Sequence, residues 1–479
     1  MAEQQSTKTI KEPAREIRVC READVVVVGG GPGGFAAALA AARNGADTVL
    51  VERYGHLGGM ASGGLVTIVP NLSSFDGKQY INGICGEWID RLDTIDAAAY
   101  PKKEELGSHD PTMVKYWQNR GQFFVRSDTV IKSVFIDAEM TKCLINDMVE
   151  KAGVKTYLHS WGTQAIVDKN EVQGIIFESK SGRQAILAKV VIDSTGDGDL
   201  LPSSGAEFDD RIDPKLRIKG LALCFWIANV DLQRAEDFKL SQPEKYAEQA
   251  QEIMKLGGFG GYIKSNLKNQ ESVVWVHNNI KVSSQIDVEE LTRIEFEGRK
   301  KMLITLDYRR KHTPGFENSF IVVSDPQLGT RGARRVIGEY VLTAKDADTD
   351  EIFKDTIAVF PDTDRGEASL KRPLQCMPYR CMVPQKVENL LVGCRAFSSD
   401  DVFNTLFNLI PHCVALGEAA GTAAALAVKE SVKVRKVNIE ALQNMLMKQG
   451  ATLSRPSLKF VPNERWQPKE ARRPFISVM

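Results

Sequence analysis

Apolar runs alternating with small-residue and polar stretches set the layout of the chain. Residues 25–28 (VVVV) form an unbroken apolar run, the pattern of a parallel strand covered on both faces. Residues 36–42 (AAALAAA) predict a helix of small side chains with Gly45 as its stop, and 48–51 (TVLV) a second buried strand. Amphipathic spacing predicts helices over 84–92 and from Asp137, an N-cap, to Lys151, with Gly153 ending the second. The polar stretch 93–122 between them reads as loop-rich. Residues 154–167 and 171–177 read as a hairpin, and 188–192 (AKVVI) as another buried strand.

The pattern changes after residue 207. Strand-like segments with aromatic content, 222–230, 272–280 and 319–323, are separated by charged helical stretches over 233–256 and 288–312. A buried strand returns at 387–393, followed by a helix of small residues from Pro411 to Ala427. A last helix covers 439–449, and a tail with Pro and Arg starts at Ser454. Residues 1–22 read as an arm that Ile17 and Val19 could dock.

The turn after the first strand carries the chemistry. Gly29, Gly31 and Gly34 supply G-x-G-x-x-G, with Pro32 opening the helix and Gly33 between. Glu52 ends the second strand about twenty residues past the glycines, where a carboxylate bonds ribose hydroxyls. That carboxylate would repel a 2′-phosphate, so the expected ligand is the adenosine diphosphate part of FAD or NAD. Arg53 opens a loop rich in glycine, through Gly58, Gly59, Met60 and Gly64, whose backbone N–H groups are free to approach a ligand. The strand 188–192 ends in Asp193-Ser194-Thr195-Gly196-Asp197-Gly198-Asp199, a second candidate edge for the cofactor. Its Asp residues could cap a helix, orient water or bond a ribityl chain. The start of the 411–427 helix could point its dipole at polar atoms of a ligand. Arg331, Arg334 and Arg335 lie near two glycines, and one of them is a candidate for gripping a substrate carboxylate bidentately.

Composition narrows the picture only a little. With 479 residues the chain accommodates two or three domains, and equal numbers of acidic and basic residues give no nucleic-acid or membrane footprint. Eight scattered cysteines form no disulfide framework, and Cys376 and Cys381 read as buried thiols rather than a metal site. No apolar run approaches the length of a bilayer span, and the polar amino terminus lacks a signal-peptide core, so a cytoplasmic setting is expected.

Taken together, Gly29 to Glu52, the Gly58-Gly59 loop, Asp193 to Asp199 and Gly417 to Leu426 resemble one family over most of the chain. It is the FAD-dependent oxidoreductases with a glutathione-reductase-type FAD domain, related in fold to the fumarate reductase flavoproteins. Further matches are Asn82-Gly83-Ile84 with Glu87, Gly329-Thr330-Arg331, and Pro378-Tyr379-Arg380. The resemblance implies an α/β fold: a Rossmann-like, three-layer ββα FAD-binding domain with an inserted α+β substrate domain. On the sequence, FAD-binding parts cover 23–207 and 386–430, the substrate domain 208–385, and a C-terminal helix and tail 431–479. It also implies that Gly29, Gly31, Gly33 and Gly34 meet the pyrophosphate and Glu52 the adenosine ribose. Gly58, Gly59 and Met60 would run toward the flavin, backbone near Gly162 would meet the adenine, and Thr195 and Gly196 would close over the pyrophosphate. Arg395 and the start of the 412–427 helix would approach the ribityl chain and the ring.

One departure stands out. Where the family has a His-Glu pair and then an Arg before the proline of the last helix, the spacing here gives Asp401-Val402 and Asn408. An Asn supplies no cation to a reduced flavin, which leaves that role to His412 or the helix dipole. The histidine that carries covalent flavin in fumarate reductase relatives has no match, His56 lying too close to Gly58-Gly59, so non-covalent FAD is expected. The expected enzyme transfers hydride between a small organic substrate and flavin N5, with Asp401, His412 and Arg331 as candidate catalytic residues and an unidentified electron donor or acceptor. A flavoenzyme without net redox turnover and a flavin-bearing subunit of a complex are the alternatives, and an oligomer is compatible with either.

Overall fold

The structure, a computed structural model, describes residues 9–349 and 352–454. Strand β1 (Arg18–Val28) runs into helix α1 (Pro32–Arg43), which returns over the sheet to β2 (Thr48–Val51). Strands β3 (Lys155–Tyr157), β4 (Trp161–Asp168), β5 (Glu171–Ser179) and β6 (Gly182–Asp193) complete the order β3-β2-β1-β6-β5-β4. β1 pairs in parallel with β2 and β6, and β2 with β3. β6 serves two sets: residues 182–187 pair antiparallel with β5, and Val191–Asp193 pair in parallel with the returning strand Leu390–Val392.

Alternation along β1 explains its unbroken apolar run. Val25 and Val27 pack with α1 and the helix Ile410–Glu430, whereas Val26 and Val28 pack with Val172, Ile175 and Phe177 of the antiparallel strands. Both faces are covered, so no position in the run is free to be polar. The result is a Rossmann-like parallel core between helices and an antiparallel layer.

Helix α1 lies unusually close to the 410–430 helix. A side chain at Gly417 would put its Cβ 2.0 Å from the carbonyl oxygen of Gly33, and one at Gly421 would lie 2.1 Å from that of Ala37. The four-residue spacing of these glycines puts both on one helix face, against the first two turns of α1. This helix is long and apolar enough to cross a membrane, contrary to the reading that no such run exists. It is 94% buried inside the fold, and its apolar character is accounted for by packing.

A second sheet is antiparallel, in the order Ile263–Lys264, Val274–Val276, Phe225–Ala228, Phe320–Ser324. Its Phe225, Ile227, Val274 and Val276 pack with Ile294, Met302 and Leu306 of the long helix Val288–His312.

Four sequence expectations change. The arm ends earlier, because β1 begins at Arg18 and residues 18–22 extend its pairing with β6. The stretch 93–122 contains the helix Pro111–Gln118, which Asp110 caps by accepting from Thr112 N and Met113 N and which buries Val114 and Trp117. The helical stretch 233–256 is two helices, Leu232–Ser241 and Pro243–Lys255, since Pro243 lacks the N–H needed to continue the first. Residues from Leu342 onward, including Ile357, Val359, Met377 and Met382, join the core beneath α1 and the 410–430 helix rather than that of the second sheet. The tail after Ser454 lies outside the described residues.

Two outcomes follow from this packing. Gly421→Val forces a side chain into the α1 backbone and is expected to cost at least about 1–3 kcal/mol, read as a lower urea midpoint. Glu418, on the same helix, accepts from Ile84 N at 3.0 Å, and burial pushes its carboxyl up to about 7. The folded state then holds a proton that the unfolded chain releases above pH 4.5, so stability falls as pH rises from about 4.5 to 7. Glu418→Gln is expected to flatten that slope in urea unfolding measured across the window, and an unchanged slope would contradict the assignment.

Candidate active site and cofactor cleft

The carboxyl ends of β1, β2 and β6 open onto a long cleft whose floor is the turn between β1 and α1. Gly29 takes φ +93°, and a Cβ there would lie 2.5 Å from the Ser194 carbonyl oxygen, so the turn is pinned against the end of β6 by backbone alone. The glycine-rich loop docks on the same turn through Gly58 N, which donates to Gly30 O at 2.8 Å. Glu52 is buried beside them, its carboxylate accepting from Gly30 N at 2.6 Å and Tyr54 N at 2.8 Å. Burial raises its pKa against these two bonds, and the oxygens keep lone pairs for a ligand in the cleft. On the opposite wall, Arg395 lies over Gly196 and donates to Asp197 Oδ1 at 3.0 Å and Thr330 Oγ1 at 2.7 Å. Asp199 also lines the cleft, and burial with the charges of Asp197 and Asp193 pushes it up to about 6.

Two features fit a dinucleotide. Gly31 is the N-cap of α1 and caps it with no side chain, leaving the first N–H groups of the helix facing the cleft. A Cβ at Gly31 would meet nothing closer than Gly59 Cα at 3.9 Å. The protein's own packing therefore does not require glycine at 31, whereas a pyrophosphate lying on the helix terminus does.

The cleft runs into a cavity of about 620 Å³ between the main sheet and the second sheet. Met60, Thr330 and Arg395 line both spaces. Phe123, Tyr262 and Trp275 give the cavity apolar walls, and Arg217, Arg331, His277 and Asp364 supply polar groups. Arg331 Nη2 lies 2.8 Å from His277 Nε2. A guanidinium has no acceptor, so Nε2 accepts and the imidazole is neutral. Burial, Arg331 and Arg217 hold its pKa well below the ordinary value, in agreement. Arg217 donates to Thr405 O at 2.7 Å and Asn408 Oδ1 at 2.6 Å, and burial and Arg331 lower it to about 9, still charged at neutral pH. Burial disfavours the Asp364 carboxylate, but Arg126 at 2.6 Å and Asn71 at 2.8 Å outweigh it and hold the pKa below the usual range.

Of the residues singled out from the sequence, Gly29, Gly31, Pro32, Gly33, Glu52, Arg53, Gly59, Met60, Gly162, Thr195, Gly196 and Arg395 line the cleft. Gly34 and Gly58 support its floor instead, and Gly64 packs on Met60. Asp197 is withdrawn from the cleft into its ion pair with Arg395. Asn408 lines the cavity, where it takes the hydrogen bond of Arg217. Of the three catalytic candidates only Arg331 reaches the cavity. Asp401 is turned away, accepting from Asp213 N at 2.8 Å. His412 is fully buried, stacked on Phe360 at 4.4 Å and accepting from Leu409 N at 3.4 Å. Burial pushes it down to about 3, so it supplies no cation. His56 lines neither space and stacks on Tyr54 at 5.5 Å. The sequence reading missed Arg217 and His277, isolated residues in no motif. The three-arginine segment was the one available signal, and Arg334 and Arg335 prove to be tied to Asp197 O, Asp199, Ser399 O and Arg211 O.

Gly31→Ala separates ligand from fold. Its Cβ has space in the protein but not beside a pyrophosphate, so the melting temperature of the flavin-free protein is expected to hold while FAD affinity falls at least about tenfold. Equal affinity in a flavin titration would contradict the placement.

Among known proteins, the chain is 30% identical over 177 residues to digeranylgeranylglycerophospholipid reductase 2 of Methanopyrus kandleri, covering 36% of this chain and 38% of that protein. It is 34% identical over 97 residues to the mitochondrial dihydrolipoyl dehydrogenase of Caenorhabditis elegans, covering 20% of this chain and 19% of that one. The matches thus span well under half the length of either relative. Among solved structures, a geranylgeranyl bacteriochlorophyll reductase-like protein of Thermoplasma acidophilum superposes with a TM-score of 0.42 at 14% identity, over 90% of this chain and 84% of that one. The p-nitrophenol 4-monooxygenase of Pseudomonas putida gives 0.43 at 12% identity over 91% of each. The model of the FAD dependent oxidoreductase family matches residues 24–446, through the glycine turn, both edges of the cleft and the 410–430 helix, and the chain belongs to that family.

Proposed function

We propose that this FAD-dependent oxidoreductase transfers hydride between flavin N5 and a carbon of a small organic substrate held in the 620 Å³ cavity. The observation that carries the reading is the shared wall: Met60, Thr330 and Arg395 border both the cofactor cleft and the cavity. FAD, when bound, supplies the two-electron chemistry, and the protein supplies binding, orientation and electrostatics. Glu52 and the α1 terminus would hold the ribose and pyrophosphate, and the Thr195-Gly196 edge and Arg395 the opposite side. Phe123, Tyr262 and Trp275 exclude water from the substrate's apolar part. Arg331 and Arg217 orient it by charge-assisted hydrogen bonds. FAD is held non-covalently on this reading, which the position of His56 away from both spaces supports. The same reading has the enzyme act in the cytoplasm on a small molecule, with a separate electron donor or acceptor and without nucleic acid or membrane.

The purified protein is expected to show the visible bands of oxidised flavin, to release them to the supernatant on acid precipitation, and to bleach reversibly with dithionite. Colour retained in the pellet would contradict non-covalent binding. A protein that is colourless and takes up no added FAD would contradict the reading as a whole.

A further inference from the structure

The cavity carries positive charge that the protein does not neutralise. Arg126 is paired with Asp364 at 2.6 Å and Arg395 with Asp197 at 3.0 Å. Among the described residues, no carboxylate lies within ion-pair distance of Arg217 or Arg331. Arg217 is spent on the carbonyl oxygens of Thr405 and Asn408, and Arg331 on neutral His277 and the Asn278 carbonyl oxygen at 3.2 Å. Arg331 Nε is buried with no partner at all. Asn408 ties the two together, since its amide nitrogen donates to Arg331 O at 3.0 Å while its oxygen accepts from Arg217.

Two charged guanidiniums lining one cavity repel each other, and burial penalises both; Asp364, held by Arg126, offsets this for Arg217 only from beyond ion-pair distance, and Arg331 has no carboxylate partner among the described residues. An entering anion relieves both costs, and the planar donor forks suit an oxyacid. A neutral or cationic guest relieves neither. Apolar and aromatic side chains, among them Val66, Ile68, Phe123, Tyr262, Trp275 and Leu406, cover much of the wall beside polar groups such as Gln118, Asn119, Gln122 and Glu236, and offer a surface for the apolar body of a guest.

We infer that the substrate is an organic acid, its carboxylate or phosphate held by Arg217 and Arg331 and its apolar body lodged against Phe123, Tyr262 and Trp275. The inference rests on the reading that this cavity holds the substrate. Its test is calorimetric titration of the FAD-loaded protein with 4-phenylbutyrate, 3-phenylpropyl phosphate and the neutral 4-phenylbutanamide. At least one acid is expected to bind at least about tenfold more tightly than the amide. The tighter of the two acids identifies the anionic group. Arg331→Gln and Arg217→Gln should each weaken the acid by about tenfold or more and leave the amide unchanged, while Arg331→Lys, which keeps the charge, should lose less. Two glutamine variants guard against either one failing to fold. Binding of the amide as tightly as both acids, no binding of either acid, or glutamine variants that bind acid like the parent would overturn the inference. Flavin content is read separately from absorbance. A parent protein that binds acid but holds no FAD would support this inference and contradict the proposed function.

Discussion

The site depends on a backbone-to-backbone clamp around the start of α1. The turn 29–34 is held between the Ser194 carbonyl at the end of β6, the Gly393 carbonyl after the returning strand and the 410–430 helix, with no side chain between. Side chains at these contacts would separate the layers by ångströms, and protein interiors do not absorb that without loss of packing. The clamp draws segments nearly 400 residues apart to one place, and it leaves the α1 terminus open on one side only, toward the cleft.

The same geometry sets where the chemistry happens. Because Arg395 follows closely on the returning strand and Asn408 closely precedes the 410–430 helix, Arg395 arrives where cleft and cavity meet and Asn408 on the cavity wall. The second sheet brings His277 from the other side, the strand Gly329–Thr330 of a separate small sheet brings Arg331, and the segment before Gly220 brings Arg217. Charge in the site is thereby divided: the ion pairs of Arg395 and Arg126 are internally balanced scaffolding, and the cations of Arg217 and Arg331 remain available.

Much of the cofactor side was legible in the sequence because it is built from local signals. Val25–Val28, the glycine spacing and Glu52 fall within one βαβ unit, where strand, turn and helix each leave a mark on adjacent residues. The substrate side was not, because its residues are single positions brought together by long-range packing. Arg217 opens a single 3-10 turn and His277 lies just past the strand Val274–Val276, neither within a motif. Asp401 and His412 were chosen for chemistry and position near the helix start. Their side chains instead cap and brace, one for the 213 loop and the other for its own helix. Asn408, an amide where the family resemblance implied a cation, accepts a hydrogen bond from the guanidinium of Arg217, a partner that no spacing rule along the chain reveals. The helix Pro111–Gln118 escaped for a related reason, having only two buried positions to mark its period.

The most direct test of the central claim, that cleft and cavity form one active site, is a crystal structure of the FAD-loaded protein. The account predicts the pyrophosphate on the α1 terminus beside Gly31 and the isoalloxazine ring at Met60, Thr330 and Arg395, facing the cavity that holds Arg217 and Arg331. A ring directed away from that cavity, or a dinucleotide bound elsewhere, would contradict it.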